Sequence, residues 1–273
     1  MYNCTRTSFA SILQRVKRIQ GGIAVDELSI VLNAFANETK AVTKANNTVV
    51  TDLRACVDIL ATASNILSVR EDNPTSEEIE YFFSAMDDIM DINTKDVWKE
   101  LHELPGKNAA ATIFSIVSNV SDLVLKTLPQ NGSIHVVKEN LALQIRRTNI
   151  EEITFPDYDI LNLSSHLILP KSTILNSFNV SETVEYSAAY YRTISTFLHR
   201  NKFERLKKEV RSDVISITVH NNKFVKKLSP PLKLYFKTFQ TNFSNAECSY
   251  WDFTLPYGGN WATDGCEIVF TNG

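Results

Sequence analysis

Long hydrophobic runs are absent from this sequence. No stretch approaches the roughly 18 to 20 apolar residues that a membrane-spanning helix needs, so we expect none of these residues to cross a membrane. An excess of one charge is absent too, because 28 basic and 31 acidic residues give a formal net charge of −3. Phosphate backbones attract strongly basic surfaces, and this balance therefore argues against a nucleic-acid partner.

Signatures of catalysis and of cofactor binding are also missing. The five histidines lack zinc-ligand spacing, and the Cys-x-x-Cys, G-x-S-x-G, P-loop and G-x-G-x-x-G patterns do not occur. Asp87, Asp88 and Asp91 form a carboxylate group, for which a solvated helix face is a more ordinary explanation than a metal site. We therefore expect no cofactor, no metal and no enzymatic activity on a separate substrate.

Helical periodicity dominates the first half of the chain. Apolar residues recur three and four positions apart, the spacing that places side chains on one helix face. Thr75 and Glu78 form a capping-box pattern, and Pro129 ends the final helix. The predicted helices cover residues 8–20, 26–43, 49–67, 76–90 and 108–128. Residues 1–130 are therefore predicted to form an all-helical subdomain.

The apolar period changes to two after Asn131-Gly132. Ile215, Ile217 and Val219, for example, share one face of a predicted strand. The predicted strands cover residues 134–137, 139–145, 167–169, 183–192, 214–220 and 232–239. Short strands separated by turn signals are typical of an antiparallel sandwich. The predicted fold class is therefore α+β, with a β-sandwich subdomain over residues 131–273.

Glycosylation sequons indicate the compartment. Asn-x-Ser/Thr occurs eight times, about twice the number expected by chance. The sequons begin at Asn3, Asn37, Asn46, Asn119, Asn131, Asn162, Asn179 and Asn242. Together with four cysteines, they favour an extracellular, oxidising location over the cytosol. Cys4 and Cys56 are a candidate disulfide pair, and the alternative is that Cys56 is a buried free thiol.

The last stretch, residues 248–273, is the most distinctive. Two cysteines and two tryptophans surround Gly258-Gly259, a pair suited to a tight turn, which predicts a small aromatic hairpin followed by a strand over residues 267–271. The aromatic rings are interpreted as packing that holds the hairpin on the sandwich, in preference to a ligand platform. The residues that define the pattern are Cys248, Tyr250, Trp251, Phe253, Trp261, Gly265 and Cys266.

This pattern resembles the first two-thirds of the GPS (GPCR proteolysis site) motif. That motif closes the GAIN domain of adhesion G-protein-coupled receptors and of polycystin-1-like proteins. A helical subdomain A followed by a β-sandwich subdomain B is also what GAIN domains look like, so the resemblance extends over nearly the whole chain. The organisation it implies is subdomain A over 1–130 and subdomain B over 131–273, with a partial GPS motif at 248–273.

The resemblance carries chemical expectations. In the family, self-cleavage occurs before the Thr or Ser of a His-Leu-Thr/Ser sequence that follows a Cys-x-Cys. His166-Leu167 is followed by Ile168, and no His-Leu-Thr/Ser occurs in these 273 residues. We therefore expect no self-cleavage within them. The family pattern also implies that Cys248 and Cys266 each pair with a cysteine beyond Gly273, although pairing with each other stays open.

Two functions remain open on this reading. The first is the juxtamembrane GAIN domain of an adhesion receptor on the extracellular side of the plasma membrane, which holds a tethered-agonist strand and regulates signalling. Its expected partners are a C-terminal seven-transmembrane fragment, extracellular protein ligands and, through the full receptor only, a heterotrimeric G protein. The alternative is a secreted or cell-surface binding module of a polycystin-like or other GAIN-containing protein, without G-protein signalling.

Overall fold

Seven α-helices precede and flank the β-sheets in the described part of the chain. The structure is a computed structural model and describes residues 5–23, 27–103, 109–156, 165–180, 182–196, 210–220, 227–236, 246–255 and 259–269. The helices are α1 (Thr7–Gln20), α2 (Leu28–Lys44), α3 (Val50–Val69), α4 (Ser76–Ile89), α5 (Lys95–Glu103), α6 (Ala109–Thr127) and α7 (Lys171–Ser177). All five predicted helices are present within a few residues of their predicted bounds.

Local chemistry explains where α4 begins. The Thr75 side chain accepts a hydrogen bond from the Glu78 backbone, and the Glu78 side chain accepts one from the Thr75 backbone, as the capping-box pattern predicts. Arg70 also donates to both Glu78 carboxylate oxygens at 2.7 Å. Burial would raise the pKa of Glu78, but these hydrogen bonds lower it below its usual value. The buried charge is therefore fully paired.

One continuous core unites the helices. Helix α2 packs along α4, while α3 packs between α1 and α6. Phe9 and Phe35 meet edge to face, with ring centroids 6.3 Å apart. Helix α5, which sequence reasoning missed because it is short, is held by Trp98, whose Nε1 donates to the Ile89 carbonyl at 2.7 Å. Helices α1 to α6 thus share one core, whereas Ile174 of α7 lies in the second core with the strands.

The strands form two antiparallel sheets and a separate hairpin. Their bounds are β1 (Ser133–Val137), β2 (Leu141–Asn149), β3 (Ile153–Phe155), β4 (His166–Leu169), β5 (Thr183–Tyr191), β6 (Val214–Val219), β7 (Lys233–Tyr235), β8 (Tyr250–Asp252) and β9 (Asn260–Ala262). Sheet A has the order β1-β2-β5-β6, sheet B has the order β3-β4-β7, and β8 pairs with β9. The predicted α+β arrangement, with helices before antiparallel sheets, is confirmed.

Sheet A lies between the helices and sheet B. On β5, Ala189 and Tyr191 belong to the core shared with the helices, whereas Tyr186, Ala188 and Tyr190 belong to a second core shared with sheet B. The alternation follows from the strand period of two. Ile215, Ile217 and Val219 of β6 pack against the second core, on one shared face as predicted. The result is three layers: helices, sheet A and sheet B.

Some predicted strands differ from the structure. Residues 267–269 are not in a strand, and Val269 is 80% exposed, so no neighbouring strand within the described ranges covers it. Strand β7 is shorter than predicted, and residues 237–239 of that prediction lie outside the described residues. Strand β3 and helix α7 were not predicted, because three and seven residues are too few to show a period.

Polar contacts fasten the helices to sheet A. Asp87 at the end of α4 accepts a hydrogen bond from the Asn140 backbone at 2.7 Å, in the turn between β1 and β2. At the end of α6, Arg147 of β2 donates to the Leu125 carbonyl at 2.9 Å and to the Leu128 carbonyl. A cation is favourable there because it adds donors at the carbonyl end of the helix, where the helix dipole is negative. Glu185 holds the same guanidinium at 2.7 Å.

Candidate functional site

Strands β8 and β9 pair to form the C-terminal hairpin. Trp251 lies directly opposite Trp261 in the β8–β9 register, and the two rings meet edge to face at 5.5 Å. Gly259 has a φ of +112°, and an added Cβ there would overlap Trp251 Nε1 and lie 2.9 Å from the Asp252 carbonyl oxygen. Only glycine fits this position without strain. The predicted glycine turn is therefore needed for the approach of Trp251 to the backbone.

A disulfide closes the base of the hairpin. Cys248 and Cys266 are bonded to each other, with their Cα atoms 5.6 Å apart. This differs from the expectation that each pairs with a cysteine beyond Gly273. The physical reason is that β8–β9 pairing brings the two ends of the hairpin to the usual Cα separation of a disulfide.

Cys56 is a buried free thiol in the structure. Burial, together with the nearby Asp52 carboxylate, raises the pKa of this thiol well above its usual value. Its candidate partner Cys4 lies outside the described residues. Of the two alternatives for Cys56, the structure contains the apolar, unreactive thiol.

The hairpin rests on the helical side of sheet A. Both tryptophans are half-buried against the core that the helices share with sheet A. The ring of Phe114 on α6 lies 6.5 Å from Trp251 and 6.2 Å from Phe253. Tyr250 and Phe253 are 40% and 52% exposed, which differs from the buried aromatic cluster expected. Gly265, with a φ of +74°, shapes the turn before Cys266 and has open space around it.

Exposed apolar side chains are concentrated late in the sequence. Seven of the thirteen large exposed apolar side chains among the described residues lie between residues 234 and 269, so they are not scattered evenly. These seven are Leu234, Tyr235, Phe236, Tyr250, Phe253, Ile268 and Val269. All six residues of β6, at the edge of sheet A, are half-buried rather than alternating. Strand β7 of sheet B and the hairpin on the helical side of sheet A therefore each leave apolar area uncovered.

Six buried side-chain polar atoms have no hydrogen-bond partner among the residues described. Two are the indole nitrogens of Trp251 and Trp261 on the hairpin, and the other four are the hydroxyl oxygens of Thr48, Thr51 and Ser64 in or just before α3 and Oε1 of Gln144 on β2. Buried polar groups are normally paired, and leaving one unpaired costs about 1–3 kcal/mol. The two indole N–H groups could donate to backbone carbonyls of a further segment at this surface.

A Ser–His–Asp cluster joins α6 to sheet A. The Ser187 hydroxyl lies 2.7 Å from His220 Nε2, and His220 Nδ1 is hydrogen-bonded to Asp122. Catalytic triads use the same groups, but Ser187 and His220 are only 4% and 3% exposed. Ser187 lies inside β5 between β2 and β6, where a substrate carbonyl has no path to its hydroxyl. Ser187 and His220 are buried and Asp122 is half-exposed, so the cluster is a polar link between α6 and sheet A, which no local sequence pattern could reveal.

The three carboxylates at the end of α4 have separate structural roles. Asp87 binds the β1–β2 turn, Asp91 accepts from the Asn93 backbone at 2.8 Å, and Asp88 accepts from the Thr39 hydroxyl at 2.9 Å. Burial and the neighbouring Asp87 charge raise the pKa of Asp88 to about 6. Within the described ranges, no group of three or more His, Cys, Asp or Glu residues could hold a metal ion.

The sequon asparagines that the structure describes are all exposed: Asn37, Asn46, Asn119, Asn131 and Asn179. Asn46 and Asn131 follow helices and have φ angles of 48° and 60°. Asparagine tolerates this left-handed conformation better than most residues, so these two positions also have a backbone reason for asparagine. Asn3, Asn162 and Asn242 lie outside the described residues.

None of the helices in the described ranges combines the length and apolar character needed to cross a bilayer. The hydrophobic helices α3 and α6 instead bury their apolar faces in the protein core.

Comparison with known proteins identifies the architecture. Residues 117–273 match the family model GPS, described as GAIN subdomain B, which confirms the resemblance of the C-terminal stretch. Adhesion G protein-coupled receptor B3 of Mus musculus is 21% identical over 281 residues, covering 96% of this chain and 18% of the receptor. The chain thus spans less than a fifth of that relative's length. Because the matched region exceeds half of the chain, the chain belongs to the GPS family of GAIN subdomain B proteins.

Proposed function

We propose that this chain is the extracellular, juxtamembrane GAIN domain of an adhesion G-protein-coupled receptor. In this role it holds a tethered-agonist strand and thereby regulates receptor signalling. Its family and its similarity to a mouse adhesion receptor support the proposal. Its direct partner is a C-terminal seven-transmembrane fragment, extracellular proteins are further ligands, and a heterotrimeric G protein is reached only through the full receptor.

The uncovered surface around the hairpin is the observation that carries this proposal. The hairpin exposes Tyr250 and Phe253, exposed Ile268 and Val269 follow it, and its two indole N–H groups have no partner among the described residues. Strand β6 is half-buried and, among the described strands, is the last of sheet A. An added strand that pairs with such an edge would bury apolar side chains at the same time. A segment that follows Gly273 in the full protein would have the connectivity to do so.

The extracellular location has its own support. A disulfide persists in an oxidising compartment, and the structure has one between Cys248 and Cys266. The exposed sequon asparagines are accessible to glycans. We therefore propose that this is a glycoprotein, and intact mass before and after deglycosylation tests it. Unchanged mass of protein secreted from mammalian cells would contradict it.

We also propose that these residues do not catalyse a reaction. The Ser187–His220–Asp122 cluster is closed to substrate, and its hydroxyl is bonded within the sheet. Ser187→Ala should therefore leave processing of the full receptor unchanged on a denaturing gel. Loss of a cleaved fragment in a folded Ser187→Ala protein would contradict this.

A binding experiment tests whether an added strand binds at the hairpin and β6. The segment that follows Gly273 in the full protein is produced separately, and hydrogen exchange of this chain is measured with and without it. We expect slower exchange in β6 and the hairpin, together with stable co-purification. No co-purification and unchanged exchange would overturn the proposal.

Two exposed valines provide a matched pair of variants. Val269 is 80% exposed beside the hairpin, and Val69 is 81% exposed at the end of α3. Lysine at either position should leave the isolated chain folded, since neither side chain is buried. We expect Val269→Lys to weaken binding of the segment at least about tenfold by opposing apolar burial and Val69→Lys to leave it unchanged. Equal effects of the two variants on binding would contradict a binding site beside the hairpin.

Signalling separates the proposed receptor from the cell-surface binding module that remains the alternative. Cells that express the full protein should raise a second messenger when the segment is released by mild denaturant or by a truncation that removes this chain. Segment binding without any G-protein response would favour the binding module.

A further inference from the structure

Phe114 of helix α6 contacts both strand β5 and the hairpin. The Phe114 ring lies 5.1 Å from Tyr191 of β5 at an interplanar angle of 80°, and 6.2 Å from Phe253 at 89°. Trp251 lies 6.5 Å away on the same hairpin. Edge-to-face rings at these separations attract one another. One nearly buried side chain therefore joins a helix, a strand and the hairpin.

The rest of α6 is fixed to sheet A. Asp122 is hydrogen-bonded to His220, and His220 in turn binds Ser187 on β5 at 2.7 Å. The carbonyls of Leu125 and Leu128 accept from Arg147 on β2. These contacts lie about two to four turns beyond Phe114. Because a helix is stiff, displacement of α6 relative to sheet A moves Phe114 as well.

We infer that Phe114 is a positioning residue through which the helical subdomain controls the mobility of the Cys248–Cys266 hairpin. A protein that binds the helices and shifts α6 would then loosen the hairpin without touching it. The inference does not require an agonist strand, because it concerns the hairpin alone. It is therefore independent of the proposed function.

Two leucine variants test the coupling. Phe114→Leu removes the edge-to-face contacts but retains most of the apolar volume. Phe82→Leu is the matched control, because Phe82 is fully buried in the helices and meets Phe83 edge to face at 5.5 Å. Hydrogen exchange of residues 250–252 and 260–262 is measured in the folded chain. We expect exchange about tenfold faster with Phe114→Leu and little change with Phe82→Leu.

The outcomes are distinct. Unchanged hairpin exchange in Phe114→Leu would overturn the inference, as would an equal acceleration in both variants, which would reflect loss of global stability alone. Phe253→Ala approaches the same contact from the exposed side of the hairpin and remains informative if Phe114→Leu does not fold. We expect an acceleration of about threefold from it, and exchange at the wild-type rate would count against the coupling.

Discussion

The helical region and the region from β6 to the hairpin differ in how much apolar side-chain area they expose. In the helices, Asp52 is fully buried and binds Arg6 at 2.9 Å, and Glu78 is paired with Arg70. Around the hairpin, apolar side chains are exposed. Buried polar atoms without partners among the described residues do not separate the two regions, because Thr51 and Ser64 in α3 have them as well as the two indoles. Buried charges with partners belong to a completed core, whereas uncovered apolar area is typical of a surface that receives another segment.

The largest test of this contrast compares two phenylalanines. Phe82 is 0% exposed among the helices, and Phe253 is 52% exposed on the hairpin. Phe82→Ala should lower the free energy of unfolding by about 3–5 kcal/mol, because it leaves a cavity. Phe253→Ala should cost less than about 1 kcal/mol. Chemical denaturation measures both, and similar losses would break the comparison.

Removing the hairpin disulfide should have the next largest effect. The Cys248–Cys266 bond spans 18 residues, and a crosslink of this length stabilises by about 3 kcal/mol. The double variant Cys248→Ser with Cys266→Ser should expose the hairpin to proteolysis while helix exchange stays slow. Peptide mapping without reduction checks the pairing in the wild type. Cys56→Ser is the control, since its thiol carries no disulfide.

Two glycines of the hairpin region provide a matched pair of variants. Both Gly259 and Gly265 have positive φ angles, but only at Gly259 would a Cβ meet Trp251. Gly259→Ala should destabilise by about 2 kcal/mol, because strain and overlap add, and Gly265→Ala by about 1 kcal/mol. Tryptophan fluorescence during denaturation follows both. A larger loss at Gly265 would contradict this arrangement of Trp251.

A smaller effect is expected from pH in the helical region. The pKa of Asp88 is raised to about 6, chiefly by burial. The folded state then binds a proton that the unfolded state has released, so the stabilisation is complete below about pH 4 and is lost as pH rises through 6. Asp88→Asn should remove this loss and stabilise the chain at pH 7.5 by about 1 kcal/mol, after discounting for solvent screening.

Asp252 on the hairpin should give stability the opposite dependence on pH. Hydrogen bonds from the Thr254 side chain and backbone lower the pKa of Asp252 below its usual value. Its contribution is present at neutral pH and is lost as pH falls through the lowered pKa. Thermal melts of Asp88→Asn and Asp252→Asn between pH 4 and 8 should therefore diverge. Parallel curves would contradict both assignments.

Sequence reasoning succeeded where a pattern is local and long. The apolar periodicity that predicts α3 and the capping box at Thr75 depend on neighbours within a few positions, and the structure contains both features. Helix α7 and strand β3 were missed, since each is shorter than the window in which a period shows. The apolar face of β6 was found, but its place at the edge of sheet A was not.

Some features of the candidate site could likewise be predicted from the sequence, and others could not. The glycine turn and the paired tryptophans could be recognised from residues 248–266 alone, and the family match confirms the resemblance. The pairing of Cys248 with Cys266 could not be decided, because the same two residues suit either partner. Asp122, Ser187 and His220 could not be found at all, since 98 positions separate Asp122 from His220.

The sequence by itself determined the change from helices to strands and the existence of a cysteine-bounded aromatic hairpin, because periodicity, capping and turn chemistry act over short distances along the chain. Only the tertiary structure decided that sheet A is the middle layer and that the hairpin rests against Phe114. Those contacts join residues far apart in sequence. They exist only after chain topology has brought the helices, the sheet and the hairpin together.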